Sequence, residues 1–159
     1  MSSSTDQAMA GDSSTLLSVD EIECLRTVAG HAIPASEEYG MPGADDASIV
    51  ADMVGSLARD RDELREVLGR VTKAAGGAFS ALARAGQASV LADLRRAEPG
   101  MFAVVEAVVS RAYYRDDRVL KAIGMPVRAP FPEGFDIDRG DWTLLDPVKA
   151  KARLYRDVA

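Results

Sequence analysis

Residues 101–114 read MFAVVEAVVSRAYY, and they are the strongest indication of the fold class. Its apolar side chains do not alternate strictly with polar ones, as they would along a half-buried strand. Several are β-branched and would suit a strand, but the length of the run favours a helix. The apolar positions cover much of that helix: Phe102, Val104, Val105, Val108, Val109 and Ala112. The stretch therefore predicts a central helix that other helices contact on several sides.

The sequence before this helix divides into further helical segments. Ser18 and Glu21 have the spacing of a capping box, which starts a first helix, and Pro34 ends it. A turn-rich loop follows, and Asp45 or Asp46 caps a second helix. Three more segments are predicted: residues 64–71, ended by Gly76 and Gly77; a short one at Phe79 and Leu82; and residues 89–98, ended by Pro99 and Gly100.

After the central helix, Asp116 or Asp117 can cap a short helix to Ile123, and Gly124 suits a left-handed C-terminal cap. An extended stretch is predicted over 125–145. Asp146 and Pro147 then start a last helix to about Val158. The prediction is an all-α, irregular multi-helix bundle with an extended C-terminal arm and a final short helix. Its parts are a flexible tail (1–17), a helical body (18–124) and a partner-binding arm with the terminal helix (125–159).

The composition fits one globular domain and excludes several functional classes. Of the 159 residues 47% are hydrophobic, which is ample for a buried core. The net charge is -6 and no block of Lys or Arg stands apart to follow a phosphate backbone, so nucleic acid is not an expected partner. The longest apolar stretch, residues 101–109, is far shorter than the roughly twenty residues that span a bilayer.

The location is expected to be the cytoplasm. No basic residue precedes Arg26, so a secretory signal and a twin-arginine pair are both missing from the N-terminal sequence. Co-export with a partner that carries a signal stays an alternative.

The single Cys24 excludes an internal disulfide, and it is expected to be a small apolar residue of the first helix.

The sequence assigns no catalytic, cofactor-binding or metal-binding residue to this chain. His31 is the only histidine, and its neighbours one helical turn away, Thr27 and Ala35, offer no catalytic companion. Residues 136–141 resemble a calcium loop, but the glycine and the bidentate glutamate fall out of register. The two glycine clusters are Gly40-Met41-Pro42-Gly43 and Gly76-Gly77. Neither has the spacing of a phosphate-binding loop, so no nucleotide or flavin site is predicted in this chain.

The aromatic residues point to a partner instead. Six of the nine lie in the last third of the chain, close to Pro126, Pro130 and Pro132, in a segment too irregular to make its own core. Two of the six are adjacent, so one ring should face the core and the other, about 100° away on the helix, should be free. The candidate interface residues are Tyr113, Tyr114, Phe131, Phe135, Trp142 and Tyr155.

Three segments, in this order, resemble a known family. They are residues 25–42 with Ile33-Pro34 and the adjoining Pro42-Gly43-Ala44, residues 113–124 with the tyrosine pair, and residues 142–156 with Leu-Leu-Asp-Pro-Val. Together they resemble the small-subunit family typified by the third subunit of membrane-linked gluconate dehydrogenase. The tyrosine pair followed by an acidic-capped helix and a glycine is the most specific element.

The resemblance implies an accessory subunit. In that family the small subunit pairs with a large flavoprotein of the glucose–methanol–choline class, which binds FAD and oxidises an alcohol group of a sugar or another substrate. The cofactor is thus expected in the partner subunit. Many members carry a twin-arginine signal that this chain lacks, which argues against export. Two alternatives stay open: a small enzyme or ligand-binding bundle that uses Tyr113, Tyr114 and His31 around an apolar pocket, and a free-standing helical adaptor.

Overall fold

The computed structural model describes residues 17–128, 131–132, 134 and 140–151. These residues form seven α-helices and no strand, which confirms the predicted all-α class. The helices are α1 (Val19–Ala32), α2 (Ala47–Gly55), α3 (Arg61–Ala74), α4 (Arg84–Ala97), α5 (Ala103–Tyr113), α6 (Asp117–Ala122) and α7 (Asp146–Lys149). Short 3-10 helices lie at Ala58–Asp60, Phe79–Ala81 and Trp142–Leu145.

The chain divides into two compact units, one ending at Val127 and the other beginning at Arg128. From here on, the name helical body means residues 17–127 rather than the predicted 18–124, and the described residues from Arg128 onward are the C-terminal segment. Among the described residues, the core lies in the helical body, where the buried apolar residues run from Leu17 to Val119.

Helix α5 is the centre of the body, as its sequence predicts. It packs against α1, α2 and α3. Its buried residues are Val104, Val105, Val108, Val109, Ala112 and Tyr113, which face more than one side of the helix. Helix α3 shows the ordinary surface pattern instead, because only Leu64, Val67, Leu68 and Val71 are buried and they share one face. Each such side chain contributes about 1.5–3 kcal/mol through its burial.

The capping box at the start of α1 forms as predicted. The Ser18 amide donates to the Glu21 carboxylate at 2.6 Å, and the Glu21 amide donates to Ser18 Oγ at 3.2 Å. Leu17 was expected to belong to the tail, but it is buried in the core. It lies just before the cap and Ile22 lies at the fourth helical position, which is the arrangement of a hydrophobic staple.

Helix α4 begins at Arg84, five residues before the predicted start at Ser89. Ala83 precedes it and makes no side-chain cap, so nothing in the local sequence marks the true start. Only Gln87 is buried among the residues of α4, while Val90, Leu91 and Leu94 pack against the edge of the core.

The C-terminal segment differs from the prediction in its helical parts. Residues 142–145, expected to be extended, form a 3-10 helix that Asp141 caps by accepting from the Thr143 amide at 3.0 Å. Helix α7 then runs from Asp146 to Lys149, with Leu145 rather than Asp146 at its N-cap. The prediction of a helix to about Val158 is wrong at the described residues 150–151, because α7 ends at Lys149; residues 152–158 lie outside the described part of the chain.

Candidate partner-binding surface

The C-terminal segment exposes its large apolar side chains. Phe131 is 85% exposed, Trp142 70% and Leu144 74%, and Leu145 and Val148 are also exposed. No residue of the 3-10 helix at Trp142–Leu145 or of α7 is buried. Soluble proteins rarely leave a dense group of large apolar side chains in water unless another surface covers it. This concentration of apolar residues makes the segment the first candidate for a binding surface.

Three of these side chains share one side of the short helical stretch. Trp142 and Leu145 are three residues apart in a 3-10 helix, where such positions eclipse each other. Val148 follows after another three residues, in α7. Thr143 and Leu144 separate the first two, and Asp146 and Pro147 separate the second two. Apolar anchors spaced about one turn apart are the pattern that a short helix presents to a groove on a partner.

The tyrosine pair divides as the sequence predicts, with one ring in the core and one at the surface. Tyr113 is 2% exposed, and its hydroxyl donates to the carbonyl of Pro42 at 2.9 Å. Burial, and then the neighbouring Tyr114 and Asp116, raise the pKa of the Tyr113 phenol. Tyr114 is 54% exposed and meets the Tyr113 ring edge-on, with the centroids 5.5 Å apart. Only Tyr114 of the two is therefore within reach of a partner.

Phe135 and Tyr155, the remaining interface candidates, lie outside the described residues. So do Asp136 and Asp138 of the acidic turn that resembles a calcium loop. The interface candidates that the structure places at the surface are thus Tyr114, Phe131 and Trp142.

A charged cleft of about 410 Å³ lies where α2 meets the α5–α6 junction. Arg118 donates to both carboxylate oxygens of Asp46 at 2.8 and 3.0 Å, and to those of Asp116 at 2.9 and 3.0 Å. Asp46 caps α2 and Asp116 caps α6, so one guanidinium joins two helix N-termini. Beside it, Arg115 donates twice to Asp52, at 2.7 and 3.0 Å.

These contacts set the electrostatics of the cleft. Hydrogen bonds from Arg118 and then from Ser48 hold the pKa of Asp46 well below its ordinary value. The pKa of Asp116 is lowered too, chiefly by its hydrogen bonds to Arg118. An anionic ligand would have to displace the carboxylates that already bind these guanidinium groups. The geometry therefore suits ion pairs that hold the helices together better than it suits an anion-binding site.

The sequence reasoning did not find this cluster. Its only local sign is the run Arg115-Asp116-Asp117-Arg118, in which one acidic residue was recognised as a cap. The other half, Asp46, is 72 residues away from Arg118 in the chain. Only the packing of α2 against α5 brings the halves together.

Cys24 and His31, the other residues that could carry chemistry, both lie in α1. Cys24 is buried in α1 as expected, and that burial raises the pKa of its thiol. His31 lies in the last turn of α1, and its Nε2 is 2.9 Å from Oε1 of Gln87.

Among the described residues, no group of three or more His, Cys, Asp or Glu side chains is arranged to hold a metal ion. In the same part of the chain, no helix is both long and apolar enough to cross a membrane.

Comparison with known proteins gives no relative for this chain: no family model matches it, and no curated protein or solved structure does so either.

Proposed function

We propose that this chain is the small, non-catalytic subunit of a hetero-oligomeric oxidoreductase. Its partner is a large glucose–methanol–choline flavoprotein that carries FAD and oxidises an alcohol or a sugar. The resemblance of the tyrosine-pair and Leu-Leu-Asp-Pro-Val elements to the gluconate dehydrogenase small subunits supports the choice of partner.

The observation that carries the proposal is the exposure of the C-terminal segment. Trp142, Leu145 and Val148 recur on one side of a short helical stretch. All three are exposed, and none of them belongs to the buried core. A tryptophan that becomes buried on binding, with two aliphatic neighbours, is typical of the few anchors that supply most of an interface's binding energy. The segment then acts as the element that docks into an apolar groove of the large subunit.

Co-expression tests the proposal. The chain, carrying an affinity tag, is produced together with a glucose–methanol–choline flavoprotein encoded beside it in the genome. The expected result is a complex of fixed stoichiometry that elutes with flavin absorbance, in which the flavin belongs to the large subunit. The tagged chain produced alone is expected to be colourless.

Two results would overturn the proposal. One is a large flavoprotein that is equally soluble and active with and without this chain, and that does not co-elute with it. The other is stoichiometric flavin in the chain purified alone, since the cofactor would then belong to this chain itself.

A further inference from the structure

A groove of about 250 Å³ lies between α1, α4 and α5 and shares no residue with the charged cleft. Three polar side chains line it, His31, Arg95 and Glu106. Its other lining residues are apolar: Val28, Ala32, Ala88, Leu91, Ala92, Phe102 and Val105.

The sequence of α4 explains why this space is open. Ala88 and Ala92 are the α4 residues that face the groove with the shortest side chains, and both are exposed. Methyl groups at these positions cannot reach the floor that Val28, Phe102 and Val105 form from α1 and α5. An engineered apolar cavity of about 150 Å³ holds one benzene ring, so this groove has room for a ring with a short substituent.

Gln87 fixes the hydrogen-bonding role of His31. The Gln87 amide nitrogen is 2.9 to 3.4 Å from three backbone carbonyls, those of Phe79, Ser80 and Leu82. Carbonyl oxygens only accept, so the amide nitrogen must face them and Oε1 must face His31. Because Oε1 also only accepts, Nε2 of His31 carries the proton of this 2.9 Å hydrogen bond.

This assignment leaves Nδ1 of the neutral imidazole as a hydrogen-bond acceptor. Within the described part of the chain, no residue donates to Nδ1, because the bond to Gln87 is the one hydrogen bond of the His31 side chain. His31 is half-buried and lines the groove. The neutral imidazole therefore adds one hydrogen-bond acceptor to the side chains that line an otherwise largely apolar groove.

The two charges at the groove neutralise each other. Arg95 Nη2 is 2.7 Å from Glu106 Oε1, and the guanidinium lies 5.3 Å from the centroid of the Phe102 ring. An anionic ligand would compete with Glu106 for Arg95 and would be repelled by Glu106. A cationic ligand would compete with Arg95 for Glu106 and would be repelled by Arg95. The groove thus favours an uncharged ligand over a carboxylate or an amine.

We propose that this groove binds a neutral alcohol built on a single ring, with the ring against Phe102 and Leu91 and the hydroxyl donating to Nδ1 of His31. The volume sets the size of the ring, the Arg95–Glu106 pair favours neutrality, and Gln87 fixes the acceptor. The lining residues that define this site all belong to the helical body, whereas the proposed partner binding rests on residues of the C-terminal segment.

Titration of the full chain with benzyl alcohol, followed by ¹H–¹⁵N NMR, tests the site. The chain has one histidine, so its imidazole signals identify themselves. Saturable binding in roughly the millimolar range is expected for a ligand of this size, with movement of the Nδ1 signal. Toluene lacks the hydroxyl and should bind about three- to tenfold more weakly, the usual worth of one hydrogen bond. Benzoate should bind more weakly than benzyl alcohol.

A matched pair of α4 variants locates the binding. Ala88→Leu fills the groove and should abolish binding, whereas Ala97→Leu makes the same change on the opposite side of α4 and should leave it unaltered. Both positions are exposed, so both variants are expected to fold. Equal affinity for benzyl alcohol and toluene, tighter binding of benzoate, an unmoved Nδ1 signal, or full binding by Ala88→Leu would each overturn the assignment, as would the absence of saturable binding.

Discussion

The helical body and the C-terminal segment use the same kinds of side chain in opposite ways. Leu64 and Leu68 of the body are at most 1% exposed, whereas Leu144 of the segment is 74% exposed. In the body, other helices pack around the central helix α5 on several sides, and so the apolar side chains are buried against one another. The helices in the described part of the segment are a 3-10 helix and one turn of α-helix, which are too short to bury their apolar side chains against each other. The comparison teaches that apolar residues form a core only where enough elements surround them.

Substitution of one leucine in each region should give the largest contrast. Leu68→Ala removes a fully buried side chain and leaves a cavity, which costs about 2–5 kcal/mol of unfolding free energy. Leu144→Ala makes the same chemical change at an exposed site and should alter stability by at most about 0.5 kcal/mol. Urea unfolding of both variants measures the difference. Similar losses in the two variants would mean that the segment belongs to the core after all.

The second contrast concerns binding to the flavoprotein. Trp142→Ala should weaken the complex by at least about 2 kcal/mol, or roughly thirtyfold in Kd, if the segment supplies the anchors. Phe131→Ala is expected to act in the same direction. Tyr39 is a matched control in the body because it is 67% exposed, close to the 70% of Trp142. Tyr39→Ala should leave the Kd from calorimetry nearly unchanged, and equal effects at the two sites would remove the distinction.

A third prediction concerns the fastening of the body at low pH. The folded-state pKa of Asp46 lies below its ordinary value of 3.8, so its ion pair stabilises the fold at neutral pH. This stabilisation is lost as the pH falls below about 4 toward the folded-state pKa, because the unfolded chain binds the proton first. Asp46→Asn keeps a capping side chain but removes the charge, so it should lose about 0.5–1 kcal/mol at pH 7.

Thermal unfolding between pH 7 and pH 2 measures this effect. The stability of the Asp46→Asn variant should fall less steeply below pH 4 than that of the unaltered chain. Arg118→Gln is the matched variant, since it leaves the carboxylate but removes its main hydrogen-bond donor. An acid dependence that neither substitution changes would show that the loss arises elsewhere.

The elements that the sequence predicts well are those with local causes. The capping box at Ser18, the cap predicted at Asp45 or Asp46 and found at Asp46, and the left-handed Gly124, with φ of 76°, each depend on a few neighbouring residues. The central helix was recognisable because its apolar residues exceed what one face can hold. The start of α4 was missed because Ala83 offers no capping side chain.

The contacts that the sequence could not predict join distant parts of the chain. The pairing of Arg118 with Asp46 spans 72 residues, and that of His31 with Gln87 spans 56. Taken alone, His31 has no catalytic companion and Gln87 is one polar residue in an alanine-rich helix. Their roles follow from the packing of α4 near α1, which no local pattern specifies. The burial of Leu17 was missed because its neighbours have the composition of a tail.

The smallest expected effect is also the most direct test of the comparison. In the part of the chain that the structure describes, the buried core and the apolar residues packed against it lie between Leu17 and Val119, so a chain ending at Val127 keeps all of these. Its unfolding free energy should therefore lie within about 0.5 kcal/mol of the full chain, the range of surface changes. Calorimetry and far-ultraviolet circular dichroism measure the stability and the helix content. A truncated chain that unfolds far earlier would show that the segment supports the body, and its exposed side chains would then need an explanation other than a partner.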